Sequence, residues 1–217
     1  KLSLWLATLA KDHPFTFLDH AIRCGDSLVG LTRRQIADFH WCEEKTRAFG
    51  QDVIEKRIQK ASAYRKEILD AGDFLLPELK RQKLALADNS LELVRFAGDC
   101  VVAAFFSGDK DSARNAERNR LLERFTRFVT KSDVIAAPNE AVDNLRSGQF
   151  PVAPFHWEIE FPEVFGRENP GFDAIVGNPP FLGGKRISTV HGDRYKSFLL
   201  STQPATNGNA DLAARFF

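Results

Sequence analysis

One stretch of the sequence combines an apolar segment of strand length with a stiff turn that is first polar and then aromatic. It is Phe172-Asp173-Ala174-Ile175-Val176-Gly177-Asn178-Pro179-Pro180-Phe181. Its first five residues are mostly apolar and have the length of a buried strand, which Gly177 ends. The two prolines cannot continue a strand, so the chain must leave the predicted sheet in a stiff turn. Because ligands bind at the carboxyl ends of strands in open α/β sheets, we predict that Asn178–Phe181 is a functional site rather than a plain proline-rich turn.

The composition is typical of a globular protein. Of the 217 residues, 43% are hydrophobic, which is enough to bury a core in one large domain or two small ones. The formal net charge is +1, so binding to nucleic acid would require a local basic patch. No apolar run reaches the length of a membrane span and no signal peptide opens the sequence, so no membrane association is expected.

The three cysteines, Cys24, Cys42 and Cys100, are scattered along the sequence. They have neither the spacing of a zinc site nor the density of a disulfide framework. We therefore expect no metal site and a reducing, cytoplasmic setting.

Two features indicate a fragment of a longer protein. The sequence contains no methionine. It begins inside an apolar helical pattern at Leu2–Leu9 and ends inside another at Arg215-Phe216-Phe217, with no capping signals. We therefore expect a central fragment.

The sequence divides into three parts by composition. Residues 1–31 contain the first helix and then, within Ala21–Gly30, a short predicted strand followed by a Gly-Asp turn. Residues 32–150 are highly charged and helical in pattern, with helices predicted over Glu43–Ala71, from Pro77 and over Ser112–Thr130, followed by a linker. Residues 151–217 contain the alternating segment Phe155–Phe161, predicted to be a strand, and then the Phe172–Phe181 stretch.

Asp26 and the pair Lys185-Arg186 are candidate ligand-binding residues. Asp26 follows a predicted strand end, where its carboxylate could accept a hydrogen bond from a ligand; capping the next helix is an equal alternative. Gly184-Lys185-Arg186 lacks the spacing and the Ser/Thr of a nucleotide-binding P-loop. A basic loop beside the candidate site could still grip a polyanionic substrate.

Three arginines of the predicted helical part are further candidate binding residues. Arg120, Arg124 and Arg127 can share one helix face and contact phosphates, although arginines also pair with carboxylates inside helical bundles.

His156, with its neighbour Trp157, is predicted to be a packed or bridging residue rather than a catalyst.

Asn178-Pro179-Pro180-Phe181 resembles the (D/N/S)-P-P-(Y/F/W) motif of S-adenosylmethionine-dependent amino-methyltransferases. The stretches LSLWLATL, FLDHAIRCGDSLVG, FHWEIEFPEVF, FDAIVGNPPFLGGKRIS and ADLAARFF are similar to the large type II restriction–modification and phage-defence adenine-N6 DNA methyltransferases. The resemblance covers about half of the chain. It implies a bacterial, cytoplasmic enzyme.

The resemblance implies an α/β fold, namely part of a doubly wound, Rossmann-like methyltransferase core. Ile22–Asp26 and Phe172–Val176 would be its third and fourth strands, and the helical part, residues 32–150, would be a large all-α insertion between the core parts 1–31 and 151–217. The glycine-rich cofactor motif that follows the first strand in this family has no equivalent here. We therefore expect the chain to be inactive alone.

The resemblance also implies residue roles. Asn178, Pro179, Pro180 and Phe181 would be catalytic, presenting an adenine flipped out of double-stranded DNA, and Asp26 and Asn178 would bind S-adenosylmethionine. Lys185, Arg186 and the three arginines of the helical part would contact DNA. Endonuclease and target-recognition domains could belong to the same parent chain.

Two alternatives remain open at this stage. The chain could be a helical DNA-docking or protein-interaction module without activity of its own. It could also belong to an amino-methyltransferase that acts on RNA or on protein glutamine, because those substrates share a planar amine.

Overall fold

The computed structural model describes residues 19–42, 51–71, 75–131, 135, 137–203 and 207–216. Within these ranges the chain is mostly helical, and the helix predicted over Leu2–Leu9 lies outside them. The helices are α1 (Arg33–Ala37), α2 (Gln51–Asp70), α3 (Pro77–Phe106), α4 (Asp111–Lys131), α5 (Asn139–Ser147), α6 (Trp157–Glu160), α7 (Pro162–Phe165), α8 (Gly184–His191), α9 (Asp193–Thr202) and a 3₁₀ helix (Leu212–Arg215).

Helix α3 lies at the centre of the structure. Pro77 occupies its first turn, where the missing backbone N–H has no intrahelical partner to lose. All six residues of Cys100–Phe105 are buried, because other helices pack around this end of α3. Helices α2 and α4 both pack against α3. The three helices predicted for the middle of the chain are therefore confirmed over their described residues.

One hydrophobic core joins the three parts of the sequence. It contains Val29 from the first part, the buried faces of α2 to α5, and Ile159 and Phe198 from the last part. The rings of Phe105 in α3 and Phe198 in α9 meet edge to face, with 5.2 Å between their centroids. The helical part is therefore packed directly against both flanking parts.

The predicted α/β fold is wrong for this structure. Among the described residues, the β-type pairing outside named strands is a single isolated parallel bridge between Asp26 and Pro154, and no sheet is formed. Ile22–Asp26 is irregular apart from this bridge, and Phe172–Val176 has no strand partner. A strand is stable only when neighbouring strands satisfy its backbone groups, and the described part of the chain supplies no such neighbours.

The predicted strand Phe155–Phe161 is also wrong, because its centre forms helix α6. Alternating apolar residues recur at every second position and therefore also at i, i+4, the spacing of one helical turn. Phe155 and Ile159 are both buried, while the Trp157 and Phe161 rings stack with their centroids 6.1 Å apart. The same alternation is thus satisfied by a single helical turn.

A buried ion pair attaches α2 to the last part of the chain. Arg65 is fully buried, and its guanidinium donates to the two carboxylate oxygens of Glu163 at 2.6 and 2.8 Å. It also donates to the carbonyl oxygen of His20 at 2.8 Å. This two-pronged geometry fixes the orientation of α7 relative to α2.

A second charged network attaches α3 to both flanking parts. Arg95 donates to Glu160 at 2.5 and 3.0 Å and to Asp88 at 2.9 Å, while Arg23 donates to Asp88 at 3.0 and 3.3 Å. Partial burial works to raise the pKa of Asp88, but the hydrogen bonds from Arg23 and Arg95 outweigh it and lower that pKa below its ordinary value. The network therefore holds Asp88 as a carboxylate.

His156 forms a third connection between the parts. Its Nδ1 accepts a hydrogen bond from the backbone N–H of Leu31 at 3.0 Å, and its Nε2 lies 3.4 Å from Asp99 in α3. Asp99 in turn accepts a hydrogen bond from Arg146 of α5 at 2.7 Å. The prediction that His156 is a packed, bridging residue is confirmed.

Candidate functional site

Asp26 lies in a tight turn that is pressed against the segment 153–156. Its backbone N–H donates to the carbonyl oxygen of Ala153 at 2.7 Å, and its own carbonyl oxygen accepts from Val29 at 3.0 Å. A Cβ at Gly30 would collide with the carbonyl oxygen of Phe155, so this close approach requires glycine at position 30. The turn is therefore held by backbone contacts on both sides of Asp26.

The helix-capping interpretation of Asp26 is excluded by the structure. Helix α1 begins after Thr32, whose hydroxyl accepts from the backbone N–H of Gln35 at 3.2 Å while the Gln35 side chain accepts from Thr32 at 2.8 Å. This is a complete capping box, so the start of α1 does not need Asp26. The interpretation of Asp26 as a ligand acceptor stays a prediction.

The Asp26 carboxylate has a partner that the sequence did not reveal. Oδ1 accepts a hydrogen bond from the backbone N–H of Leu28 at 3.1 Å and a second from the hydroxyl of Tyr195 at 3.1 Å. Tyr195 lies on α9 and is 169 residues away in sequence. Its position among Phe198 and Leu199 on the buried face of α9 predicts core packing, and no local signal points to Asp26.

The predicted catalytic residues Asn178–Phe181 lie in an irregular, exposed loop. Val176 just before them is 98% exposed, and the Phe181 side chain is 85% exposed. No side-chain hydrogen bond from the described residues holds Asn178. The loop therefore presents both Asn178 and Phe181 to the surroundings.

Both ends of this loop are attached to the folded structure. At its start, the Phe172 ring packs edge to face against Trp157, Phe161 and Phe165, with centroid distances of 5.7, 5.3 and 5.8 Å. At its end, the backbone N–H of Leu182 donates to Asp211 at 3.1 Å, and its carbonyl oxygen accepts from Leu212 at 2.8 Å. The exposed loop is therefore held between two fixed points.

A cavity of about 630 Å³ separates the Asp26 turn from the start of the exposed loop. Ser27 and Leu28 line it on one side, and Phe172 and Ile175 line it from the exposed loop. Four other aromatic side chains line the wall together with polar residues from α1, α6 and the end of α9; the aromatic ones are Trp41, Phe155, Trp157 and Phe165. The structure thus places the Asp26 turn and the loop around one aromatic cavity, but it brings neither Asp26 nor Asn178 into the lining.

The two groups of predicted DNA-binding residues have different surroundings. Lys185 and Arg186 are exposed in the first turn of α8, immediately after the candidate loop. Arg120 donates to both carboxylate oxygens of Glu117 at 2.8 and 2.7 Å, and this hydrogen bonding lowers the pKa of Glu117. Arg124 pairs with Glu140, and the hydrogen bond lowers the pKa of Glu140.

Arg127 is exposed on the same helix, α4. Contact of any of these five basic residues with DNA stays a prediction.

Comparison with known proteins finds similarity along the whole chain. The model of the Eco57I restriction-modification methylase family matches residues 1–217. A protein of Methanocaldococcus jannaschii, provisionally named as a type II restriction enzyme and methyltransferase, is 25% identical over 218 aligned residues. The match covers 83% of this chain and 17% of that protein, so the chain spans about a sixth of the length of this relative.

No solved structure matches this chain. In the part of the chain that the structure describes, no helix is both long and apolar enough to cross a membrane.

Proposed function

This chain belongs to the Eco57I restriction-modification methylase family, and from that premise we propose that it is part of an adenine-N6 DNA methyltransferase. The enzyme uses S-adenosylmethionine and methylates double-stranded DNA in a restriction–modification or phage-defence system. The observation that carries the proposal is the loop Asn178–Phe181, exposed at its centre and attached at both ends.

Asn178 and Pro179 hold the target amine in this proposal. The exocyclic amine of adenine is a poor nucleophile because its lone pair is delocalised into the ring. The side-chain oxygen of Asn178 and the backbone carbonyl oxygen of Pro179 each accept one N–H of that amine. Both hydrogen bonds favour the pyramidal nitrogen that attack on a methyl group requires.

Pro180 and Phe181 position the base. Pro180 restricts the backbone, so the two acceptors keep a fixed separation. The Phe181 ring, which is free of packing over most of its surface, stacks on the adenine after it leaves the duplex. An exposed aromatic side chain at this position has no structural use in the described part of the chain, which supports a role in ligand contact.

Asp26 fits a role in holding the methyl donor. Oδ1 of its carboxylate accepts two hydrogen bonds, while Oδ2 accepts none from the described residues and can accept one from an amine or hydroxyl of S-adenosylmethionine. The adjoining cavity has the aromatic walls that suit a purine ring. When bound, the cofactor supplies an activated methyl group, and Asn178 is the second residue proposed to contact it.

Lys185 and Arg186 are proposed to contact the DNA backbone beside the flipped base, because their side chains are exposed next to the loop. Arg120 and Arg124 would first have to give up their carboxylate partners, which makes them less suitable for phosphate contact. The basic residues of α8 therefore carry the proposed DNA contact.

The proposal is tested with Asn178→Ala in the complete enzyme that contains this chain. Loss of one acceptor should reduce methyl transfer to duplex DNA by at least about 100-fold, because the amine is no longer held for attack. The measurement is incorporation of a radiolabelled methyl group, followed by mass spectrometry of the nucleosides to identify N6-methyladenine.

Asn89→Ala is the matched control, since Asn89 is an exposed asparagine on α3. Parallel assays with RNA and with protein substrates separate the alternative amino-methyltransferases. Full activity of the Asn178→Ala enzyme, or methylation of RNA or protein instead of DNA, would contradict the proposal.

A further inference from the structure

We propose that Tyr195 is a positioning residue that orients the Asp26 carboxylate toward the methyl donor. The inference rests on the proposed function of Asp26 as a cofactor ligand. Tyr195 lies on α9, which follows the catalytic loop in sequence. It acts through Asp26 and does not contact the substrate.

The two oxygens of the Asp26 carboxylate have different surroundings. Oδ1 accepts from both the Leu28 backbone N–H and the Tyr195 hydroxyl at 3.1 Å. Two donors on one oxygen restrict rotation of the carboxylate about its Cβ–Cγ bond. The second oxygen, Oδ2, is left without a hydrogen bond from the described residues and has a fixed direction in which to accept one.

Tyr195 is itself rigidly held. Its side chain is only 3% exposed, and its ring stacks on His191 of α8 with centroids 4.6 Å apart and planes inclined by 23°. Helix α9 is attached to its neighbours through hydrogen bonds from Arg114 to Ser197 and from Lys196 to the carbonyl oxygen of Gly184. The hydroxyl therefore has a defined position relative to the Asp26 turn.

The Tyr195 hydroxyl keeps its proton and donates it to the hydrogen bond with Asp26. Burial raises the pKa of its phenol, and the negative charge of Asp26 raises it further. The hydroxyl thus stays protonated over the working pH range of an enzyme and acts as a donor to Asp26. A hydrogen bond to a charged acceptor is stronger than one between neutral groups, so its loss should be measurable.

The hydrogen bond between Tyr195 and Asp26 joins the two halves of the proposed site. Asp26 precedes the helical part, whereas α8 and α9 follow the catalytic loop directly. This hydrogen bond connects the Asp26 turn, which is proposed to contact the cofactor, with α8 and α9, the helix pair that begins at Gly184 just after the loop. A substitution at Tyr195 should therefore affect cofactor affinity without affecting the groups that contact the base.

The test is a double-mutant cycle in the complete enzyme, with Tyr195→Phe, Asp26→Ala and the pair. The Kd of S-adenosylmethionine is measured by isothermal titration calorimetry, and kcat is measured at saturating cofactor. Tyr195→Phe should raise the Kd about 5- to 20-fold, as expected for loss of one hydrogen bond that orients a charged group, while kcat changes less than about twofold. In the Asp26→Ala background the same substitution should have little further effect on the Kd.

Tyr64→Phe is the matched control. Tyr64 is the only other tyrosine in the sequence. It lies partly buried on α2 against the same core, and no described residue forms a hydrogen bond with its side chain. Thermal unfolding followed by circular dichroism shows whether each variant folds. His191→Ala gives a second route, because it removes the ring that holds Tyr195 and leaves both hydrogen-bonding atoms in place; it should raise the Kd by a smaller factor.

The outcomes separate the inference from the proposed function. An unchanged Kd for Tyr195→Phe, with a raised Kd for Asp26→Ala, would overturn the role of Tyr195 and leave that of Asp26 intact. An equal rise caused by Tyr195→Phe in both backgrounds would also overturn it, since Tyr195 would then not act through Asp26. An unchanged Kd for Asp26→Ala would contradict the cofactor role of Asp26, and the role of Tyr195 would be contradicted with it.

Discussion

Phe181 has surroundings that distinguish a stacking residue from a core residue. The residue is 85% exposed although it is large and apolar. We therefore predict that Phe181→Tyr and Phe181→Trp keep methylation within about threefold, because either ring offers a stacking face. Phe181→Ala should lower kcat/KM for duplex DNA by about 5- to 100-fold, the usual range for loss of one base–aromatic stack.

Steady-state methylation assays on the complete enzyme test this prediction. Ile135→Ala is a suitable control, because Ile135 is 93% exposed but lies away from the loop in sequence. Equal losses for Phe181→Ala and Phe181→Trp would indicate a requirement for a specific shape and would rule out simple stacking.

A site residue could be predicted from the sequence when its role depends on its immediate neighbours in the chain. It was missed when its role depends on a contact between distant parts of the chain. Asn178–Phe181 is readable because two consecutive prolines between an asparagine and a phenylalanine restrict the backbone locally. Tyr195 was missed because its role depends on a contact with Asp26 across 169 residues. The Asx-type hydrogen bond from Leu28 to Asp26 is local, but sequence alone did not separate it from a helix cap.

Among the elements, the long helices were predictable and the short segments were not. Helix α3 has 30 residues, so its apolar residues recur at helical spacing often enough to predict a helix even where single positions break the pattern. Leu79 and Leu86 keep the apolar spacing of this helix but are exposed, because no described residue covers that side of its first half. The seven residues Phe155–Phe161 are too few to separate a strand from one helical turn by alternation alone.

The Asp88 network gives a prediction at the level of helix attachment. The hydrogen bonds of Arg23 and Arg95 lower the pKa of Asp88 in the folded state. A carboxyl group with a lowered folded-state pKa contributes stability above its unfolded pKa, and that contribution is lost as the pH falls through the folded-state pKa. Asp88→Asn should therefore lower the free energy of unfolding by about 1 kcal/mol at pH 7, allowing for screening of this partly exposed group.

Urea unfolding of this chain between pH 2 and pH 7 checks that prediction. The difference between Asp88→Asn and the unmodified chain should stay constant above about pH 5 and shrink below about pH 4. Asp143→Asn on α5 is the control, because Asp143 is exposed and its carboxylate has no ion pair in the described residues. A difference that grows on acidification would contradict the assigned sign.

For the whole molecule, the shared core argues against an independent helical module. The three parts predicted from composition meet in one cluster of buried side chains, which extends from Val29 through α3 to Phe198. Polar connections cross the same boundaries, at Arg65–Glu163 and at His156–Asp99. Composition could not show this, because a charged helical surface looks the same whether or not the opposite face packs on a neighbouring part.

We therefore predict that the chain unfolds in one cooperative transition. Far-ultraviolet circular dichroism, which reports mainly the helical part, and tryptophan fluorescence, which includes Trp157 in the last part, should give the same midpoint in urea. Arg65→Ala leaves the mostly buried Glu163 carboxylate without its ion-pair partner and should lower the free energy of unfolding by about 3–5 kcal/mol. Because the parts share one core, both signals should shift together in this variant. Two separated transitions, or a shift confined to the circular dichroism signal, would mean that the helical part folds on its own.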